Sequence, residues 1–303
     1  MTARLTVCLS CDVDSMAVWP TAFGITSPMA MSRGEIEGEV AIPRVLDLLR
    51  KHQIPGTFFV PVFTMMAFPD PILRMRDEGH EIGFHGWMHE APADFDRDGL
   101  QEVMDKGFAG HREITGLRPT GYRTPGADIT PTMIDALLDN GFLYEATLSA
   151  GDFQPWYIRR GDQFVLGEPF RFGTPSELVA MPFSWALNDF QQVEFVGGWS
   201  TTMKTAEQLR EIWQAEFDFA YDHAQGGVFT ICMHPQAIGR GSRIAMLDDF
   251  ITYMKSKDGV VFSRIGDYAS QWKRANPLEE WVPQHPELTG GWAFDEGVVN
   301  QGT

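Results

Sequence analysis

Short apolar runs alternate with amphipathic helical stretches along most of this chain, and that alternation restricts the fold more than any other feature. Leu5 to Leu9 is a β-rich run, and Ile42, Val45, Leu46 and Leu49 then follow the i, i+3, i+4, i+7 spacing of a helix over 42–51. Gly56-Thr57-Phe58-Phe59-Val60 is apolar on both faces and bounded by prolines, as a strand buried between helical layers would be. Asp70 as cap, Pro71 in the first turn and Gly79 as stop predict the next helix, and Glu81 to Phe84 the next strand. A longer helix carries Leu100, Val103, Met104, Phe108 and His111 on one face. Thr120 to Gly126 reads as strand and tight turn, Thr130-Pro131 opens a helix ending near Gly141, and Leu143 to Leu148 reads as a strand.

Leu178 to Phe183 and Gly227 to Met233 read as further strands, and Gly259 to Phe262 as the last. Thr205 and Gln208 form a capping-box pattern before a helix with Leu209, Ile212, Trp213 and Phe217 on its apolar side, and Ile244, Leu247, Ile251 and Met254 mark another. Seven or eight such alternations call for parallel strands with helices outside, an α/β barrel in a single domain over residues 1–275. Residues 15–38, with Trp19, Pro20, Pro28 and several glycines, read as a long loop, and residues 150–200 as irregular and aromatic. The stretch 276–303, rich in Pro, Gly and acidic residues with Trp281 and Trp292, reads as an extended arm.

At 303 residues the chain can bury a full core, and 44% hydrophobic with 21% charged residues is ordinary for a globular protein. A formal net charge of −17 argues against nucleic acid or an anionic membrane as partner, because both reward lysine and arginine. Cys8, Cys11 and Cys232 fit neither a disulfide framework nor a Cys-x-x-Cys zinc pattern and are expected as small buried residues. The amino terminus leads straight into a strand without an export signal, so a cytoplasmic location is the expectation. Residues 150–200 and the arm are the candidate contacts of a homo-oligomer.

Chemistry gathers where strands end. His85 and His89 are four residues apart, so on one side of a helical turn both imidazoles could reach a single ion. Asp12 and Asp14 share a face in extended chain, and two carboxylates that close call for a cation. A catalytic zinc needs three protein ligands and an open position, which the two histidines and one of these aspartates would supply, leaving the other for proton transfer. Arg123, Trp185 and His234 also fall at strand ends. No His-Glu-x-x-His motif is present, since Gly86 stands where its glutamate would be. His111 is expected to be packed, His52 to sit at a helix end, and His80, His223 and His285 show no partner pattern.

Asp12-Val13-Asp14, His85-x-x-x-His89, Arg123-Thr124-Pro125-Gly126, Trp185 and Met233-His234 resemble, in order, the five motifs of the polysaccharide deacetylase superfamily, over roughly residues 5 to 270. The resemblance implies a distorted (β/α)7 barrel. It also implies a divalent metal, usually zinc, on Asp14, His85 and His89, with Asp12 as general base, Arg123 holding its charge and His234 as general acid. Trp185 would line the acyl pocket, and a backbone N–H near Gly126 would face the oxyanion. Two departures bear on the substrate. The aspartate usually paired closely with the fourth-motif tryptophan has its nearest counterpart in Asp189, and Gly126 replaces a frequent aromatic residue. The pattern looks closest to a branch of peptidoglycan-deacetylase-like, allantoinase-like and cyclic-imide-hydrolysing proteins. The expected activity is therefore hydrolysis of a non-peptide C–N bond in a small-molecule or oligosaccharide substrate, first an N-acetylated sugar, otherwise a small cyclic amide. A silent sugar-binding protein is the reading of another class.

Overall fold

The structure is a computed structural model and describes residues 3–286. Its strands are β1 (Leu5–Asp12), β2 (Thr57–Val60), β3 (Glu81–Phe84), β4 (Gly121–Tyr122), β5 (Tyr144–Glu145), β6 (Trp156–Arg160), β7 (Thr174–Ala180), β8 (Gly227–Met233) and β9 (Val260–Phe262). They join in the order β6-β7-β5-β4-β3-β2-β1-β8, with β9 beside the first half of β1. Every pairing is parallel except β6 with β7. The sheet curls into an incomplete (β/α)7 barrel. Pro182 to Asp189 bridges the gap to β8: Thr230 Oγ1 donates to the Pro182 carbonyl, and Asp189 N donates to Cys232 O at 3.2 Å.

Alternation along β1 decides what lies on each side. Leu5, Val7, Leu9 and Cys11 pack outward with Ile42, Val45, Leu247 and Phe250 of the surrounding helices. Cys8 belongs to the other cluster, with Phe59, Tyr144 and Val228. Continuing inward, Ser10 and Asp12 face Arg123 across the barrel, so the interior turns polar toward the carboxyl ends of the strands. That end is where active sites of such barrels form.

Several expectations are corrected. Residues 15–38 are not a loop: Val18–Phe23 and Pro28–Ile36 are helices, followed by a π-helical turn, Glu37–Ala41. The prolines misled because a proline in the first turn starts a helix, and Ser27 accepts a hydrogen bond from Ala30 N as its cap. Asp70 caps nothing; its helix is Pro69–Asp77 with Phe68 at the cap position. Within the aromatic 150–200 stretch, β6 and β7 form an antiparallel pair whose register shifts between Tyr157 and Arg159, which breaks the alternation a strand would show. The arm begins as two short helical turns, Leu278–Trp281 and Val282–Gln284, because Trp281 buries itself against Tyr157 and Trp272. Trp292 lies outside the described residues. The Thr205–Gln208 capping box has both its hydrogen bonds.

His111 is fully buried, 5.8 Å from Phe84 between ring centroids, and neither ring nitrogen has a hydrogen-bond partner among the described residues. Burial alone pushes its pKa from 6.5 down to about 3. Below pH 6.5 the unfolded chain takes up a proton that the folded chain refuses. Stability therefore falls by about 1.4 kcal/mol per pH unit as pH drops from 6.5 toward 3, and is unaffected above that window. His111→Leu removes this penalty. In denaturant unfolding at pH 7 and pH 5, the wild type should lose about 2 kcal/mol more than the variant between the two. Equal losses in both proteins would refute the assignment.

Candidate active site

Asp12, Asp14, His85, His89, Arg123, Gly126, Trp185 and His234 all line one pocket of about 320 Å³ at the carboxyl ends of the strands. The histidine pair does not ride on a helix. His85 follows β3 directly, and residues 86–90 form a tight loop in which Gly86 and His89 have φ of 81° and 63°. Glu90 staples it by accepting from Trp87 N at 2.9 Å and Met88 N at 2.6 Å. The loop brings the two imidazoles to 5.0 Å between ring centroids.

Hydrogen bonding fixes the tautomers of both histidines. His85 Nδ1 donates to the Arg123 carbonyl at 2.7 Å. Thr21 spends its hydroxyl proton on the Ala17 carbonyl at 2.7 Å, so the 3.1 Å contact with His89 Nδ1 has the imidazole as donor. Both Nε2 lone pairs then point at Asp14: His85 Nε2 is 3.2 Å from Oδ1 and His89 Nε2 is 3.6 Å from Oδ2. Asp14 Oδ1 is buried and accepts no well-aligned hydrogen bond among the described residues. Acceptor facing acceptor at that distance is repulsive unless a proton or a cation lies between them. The ligand atoms of Asp14, His85 and His89 all fall within 4.8 Å of one another, so the three residues fit a divalent ion. Burial lowers the His89 pKa to about 4, which keeps this ring neutral as a ligand must be.

Asp12 stands apart from that set. Its Oδ1 accepts from Arg123 Nη1 at 2.8 Å, and Arg123 is held by Ser10 Oγ and the Ala146 carbonyl, each at 2.9 Å, with Phe59 beneath its guanidinium. Burial would raise the Asp12 pKa, but Arg123, followed by His85 and His234, holds it below the ordinary carboxylate value. His234 lies across the pocket, its Nε2 3.7 Å from Asp14 Oδ2 and 4.0 Å from Asp12 Oδ2. Its Nδ1 donates to Asp189 Oδ1 at 2.8 Å, and its own backbone N–H donates to the same carboxylate. Burial opposes the charge on His234, yet Asp189, with Asp14 and Asp12 behind it, raises its pKa to about 10. Trp185 stands half-exposed at the rim against Phe183, and Gly126 takes φ of 70° in the turn after β4.

The chain resembles known proteins over most of its length. The sequence pattern of the family described as polysaccharide deacetylase matches residues 35–144. A peptidoglycan deacetylase of Helicobacter pylori is 29% identical over 293 residues, which covers 92% of this chain and all of the relative. The structure of a Mycobacterium smegmatis protein assigned as a polysaccharide deacetylase is 30% identical with a TM-score of 0.80, covering 91% of this chain and 92% of that one. The chain belongs to the polysaccharide deacetylase family. Puue allantoinase shares the fold at 22% identity and a TM-score of 0.74, over 91% of this chain and 93% of that one. Deacetylase homologues in this family act as hydrolases on amide C–N bonds. Among the described residues no helix is long and apolar enough to cross a membrane.

Two residues beyond the principal site positions carry weight in this family member. Asp189, displaced from the fourth-motif tryptophan, reaches the site through His234. Glu37 falls in the segment mistaken for a loop, yet it is fully buried beneath the site. Its carboxylate accepts from Ser15 N and, at 3.4 Å, from Gln236 N, tying the turn after Asp14 to the turn after His234. Ser15 has φ of 54°, and a Cβ on Gly34 would come within 2.4 Å of Met16 N, so this helix packs directly on the Asp14 turn. A single sequence offers no signal for such a clamp. Glu37→Ala would leave two buried N–H groups unpaired, at about 1–3 kcal/mol each, and loosen the turn that carries Asp14. Denaturant unfolding should show that loss, and calorimetric titration with Zn2+ a weaker affinity. Wild-type values in both would refute the role.

Proposed function

We propose that this protein is a metal-dependent amide hydrolase that removes the acetyl group from an N-acetylated sugar. The observation that carries the reading is the convergence of the Asp14, His85 and His89 ligand atoms within 4.8 Å of one another, with His85 Nε2 3.2 Å from Asp14 Oδ1. Asp14, His85 and His89 would hold the ion. Two imidazoles and one carboxylate suit zinc. When bound, such a cation supplies a Lewis acid that polarises an amide carbonyl and acidifies water. Asp12, kept ionised by Arg123, takes the proton of the attacking water. His234, which keeps its proton at neutral pH, delivers it from Nε2 to the departing nitrogen, so that acetate and a free amine leave. Trp185 walls the acyl group, and the backbone N–H at Gly126 is assigned to the developing oxyanion. The curated relative from Helicobacter pylori supports an N-acetylated substrate.

A second reading has one observation in its favour. Phe23 of the helix Val18–Phe23, Phe190, and Trp199 of the Val196–Ser200 turn are in mutual contact and line one wall of the pocket, whose volume is about 320 Å³. That space takes one sugar ring or one small cyclic amide. The zinc-loaded protein, assayed against N-acetylglucosamine and its oligomers alongside cyclic imides and ureides, separates the readings. Released acetate supports the first. Ring opening of imides without acetate release replaces it by the second. No turnover of either class with zinc bound refutes both.

A further inference from the structure

A second set of donors converges deeper in the barrel. Cys232 pairs with Ser10 in the β1–β8 ladder and so shares its inward face. Its Sγ is 3.3 Å from Asp12 Oδ2, and His234 Nε2 is 4.0 Å from the same oxygen. The ligand atoms of Asp12, Cys232 and His234 all lie within 4.8 Å of one another, and all three residues are buried. Asp189 anchors His234 through Nδ1, so Nε2 is the nitrogen presented to this set, as in metal sites where a carboxylate orients the ligating imidazole. Arg123 engages the other oxygen of Asp12, Oδ1, and leaves Oδ2 to face Cys232.

We propose that Asp12, Cys232 and His234 form a second, inhibitory site for a thiophilic divalent cation, zinc or cadmium. On binding, the Cys232 S–H bond and the His234 Nε2–H bond break, both protons go to solvent, and metal–sulfur and metal–nitrogen bonds form, with no change of oxidation state. A thiolate ligand selects zinc or cadmium over magnesium or calcium. This site is the weaker of the two, because both its thiol and the His234 imidazolium must first give up a proton and the Arg123 charge is close by. Its occupancy withdraws Asp12 and His234 from proton transfer, so excess metal stops turnover. The inhibition rests on the roles proposed above for those two residues; the binding does not.

Titration of the full-length protein with Cd2+, read by ultraviolet thiolate-to-cadmium absorption and by metal content after dialysis, tests it. The wild type should bind two ions per chain, the thiolate band rising with the second. Cys232→Ser and Cys232→Ala should bind one and show no band, while His85→Ala loses the first ion and keeps the band. Excess Zn2+ should inhibit the wild type, and Cys232→Ser, judged against its own one-equivalent rate, should need at least about tenfold more zinc. One ion per wild-type chain without a band, or a band that survives both Cys232 substitutions, would overturn the site. A band already complete with the first ion, and kept in His85→Ala, would uphold it and overturn the zinc ligands proposed above instead.

Discussion

Asp12→Asn is expected to keep its zinc and lose about 10²–10⁴-fold in kcat, the usual contribution of one well-placed acid or base. Zinc is retained because the aspartate that faces both histidines is Asp14, whereas Asp12 is turned toward Arg123 at 2.8 Å. The rate falls because an amide cannot take the proton of the attacking water. Asparagine can still accept from Arg123 Nη1 through its carbonyl, which spares the guanidinium a complete loss of partner. The buried Arg123 nevertheless loses its counter-charge, and breaking a buried pair costs about 3–5 kcal/mol. Unfolding must therefore be measured beside turnover, and the comparison made where both proteins are folded. Full turnover by the variant would sink the base assignment. Loss of the metal would show that Asp12, not Asp14, completes the ligand set.

The parts of this site that a single sequence reveals are those at strand ends. Alternation of apolar runs and helical stretches located β1, β2, β3 and β8, and the polar residues just past them, Asp12, Asp14, His85 and His234, could be placed at one mouth. His85 and His89 do meet, at 5.0 Å between ring centroids, but a loop with two left-handed residues, not a helix, brings the rings together. Spacing rules describe regular structure, and here the geometry comes from Gly86 and the Glu90 staple. Glu37 is not legible in the sequence, and neither is the partner of Asp189, for a related reason. Each acts on a residue far away in sequence, Glu37 on Ser15 and Gln236, Asp189 on His234, and such contacts exist only once the barrel has closed. Cys232 was seen as a small buried residue, which it is; its approach to Asp12 depends on the pairing of β8 with β1. The helices within residues 15–38 do not announce themselves because prolines at helix starts look like loop residues.

His85→Ala should abolish both zinc binding at the first site and turnover, and its thermal behaviour distinguishes a lost ligand from a damaged fold. In the metal-free wild type the Asp14–His85 contact needs a proton, which accounts for the upward pKa of His85: burial opposes it, and the Asp14 and Asp12 carboxylates override burial. Alanine removes that partner and leaves Asp14 with His89 at 3.6 Å and His234 at 3.7 Å as its remaining ion-pair partners among the described residues, so the metal-free variant should melt below the metal-free wild type. Zinc then separates the two cases. A ligand that binds only the folded state at 1,000 times its Kd adds about 4.1 kcal/mol, which for a chain of this size raises Tm by roughly 8 °C. The wild type should show that rise at zinc held below the level that inhibits it. The variant should show almost none, while a folded circular-dichroism spectrum excludes global damage. A variant that still gains the full shift would mean that His85 is no ligand and that the 3.2 Å approach to Asp14 is closed by a proton alone.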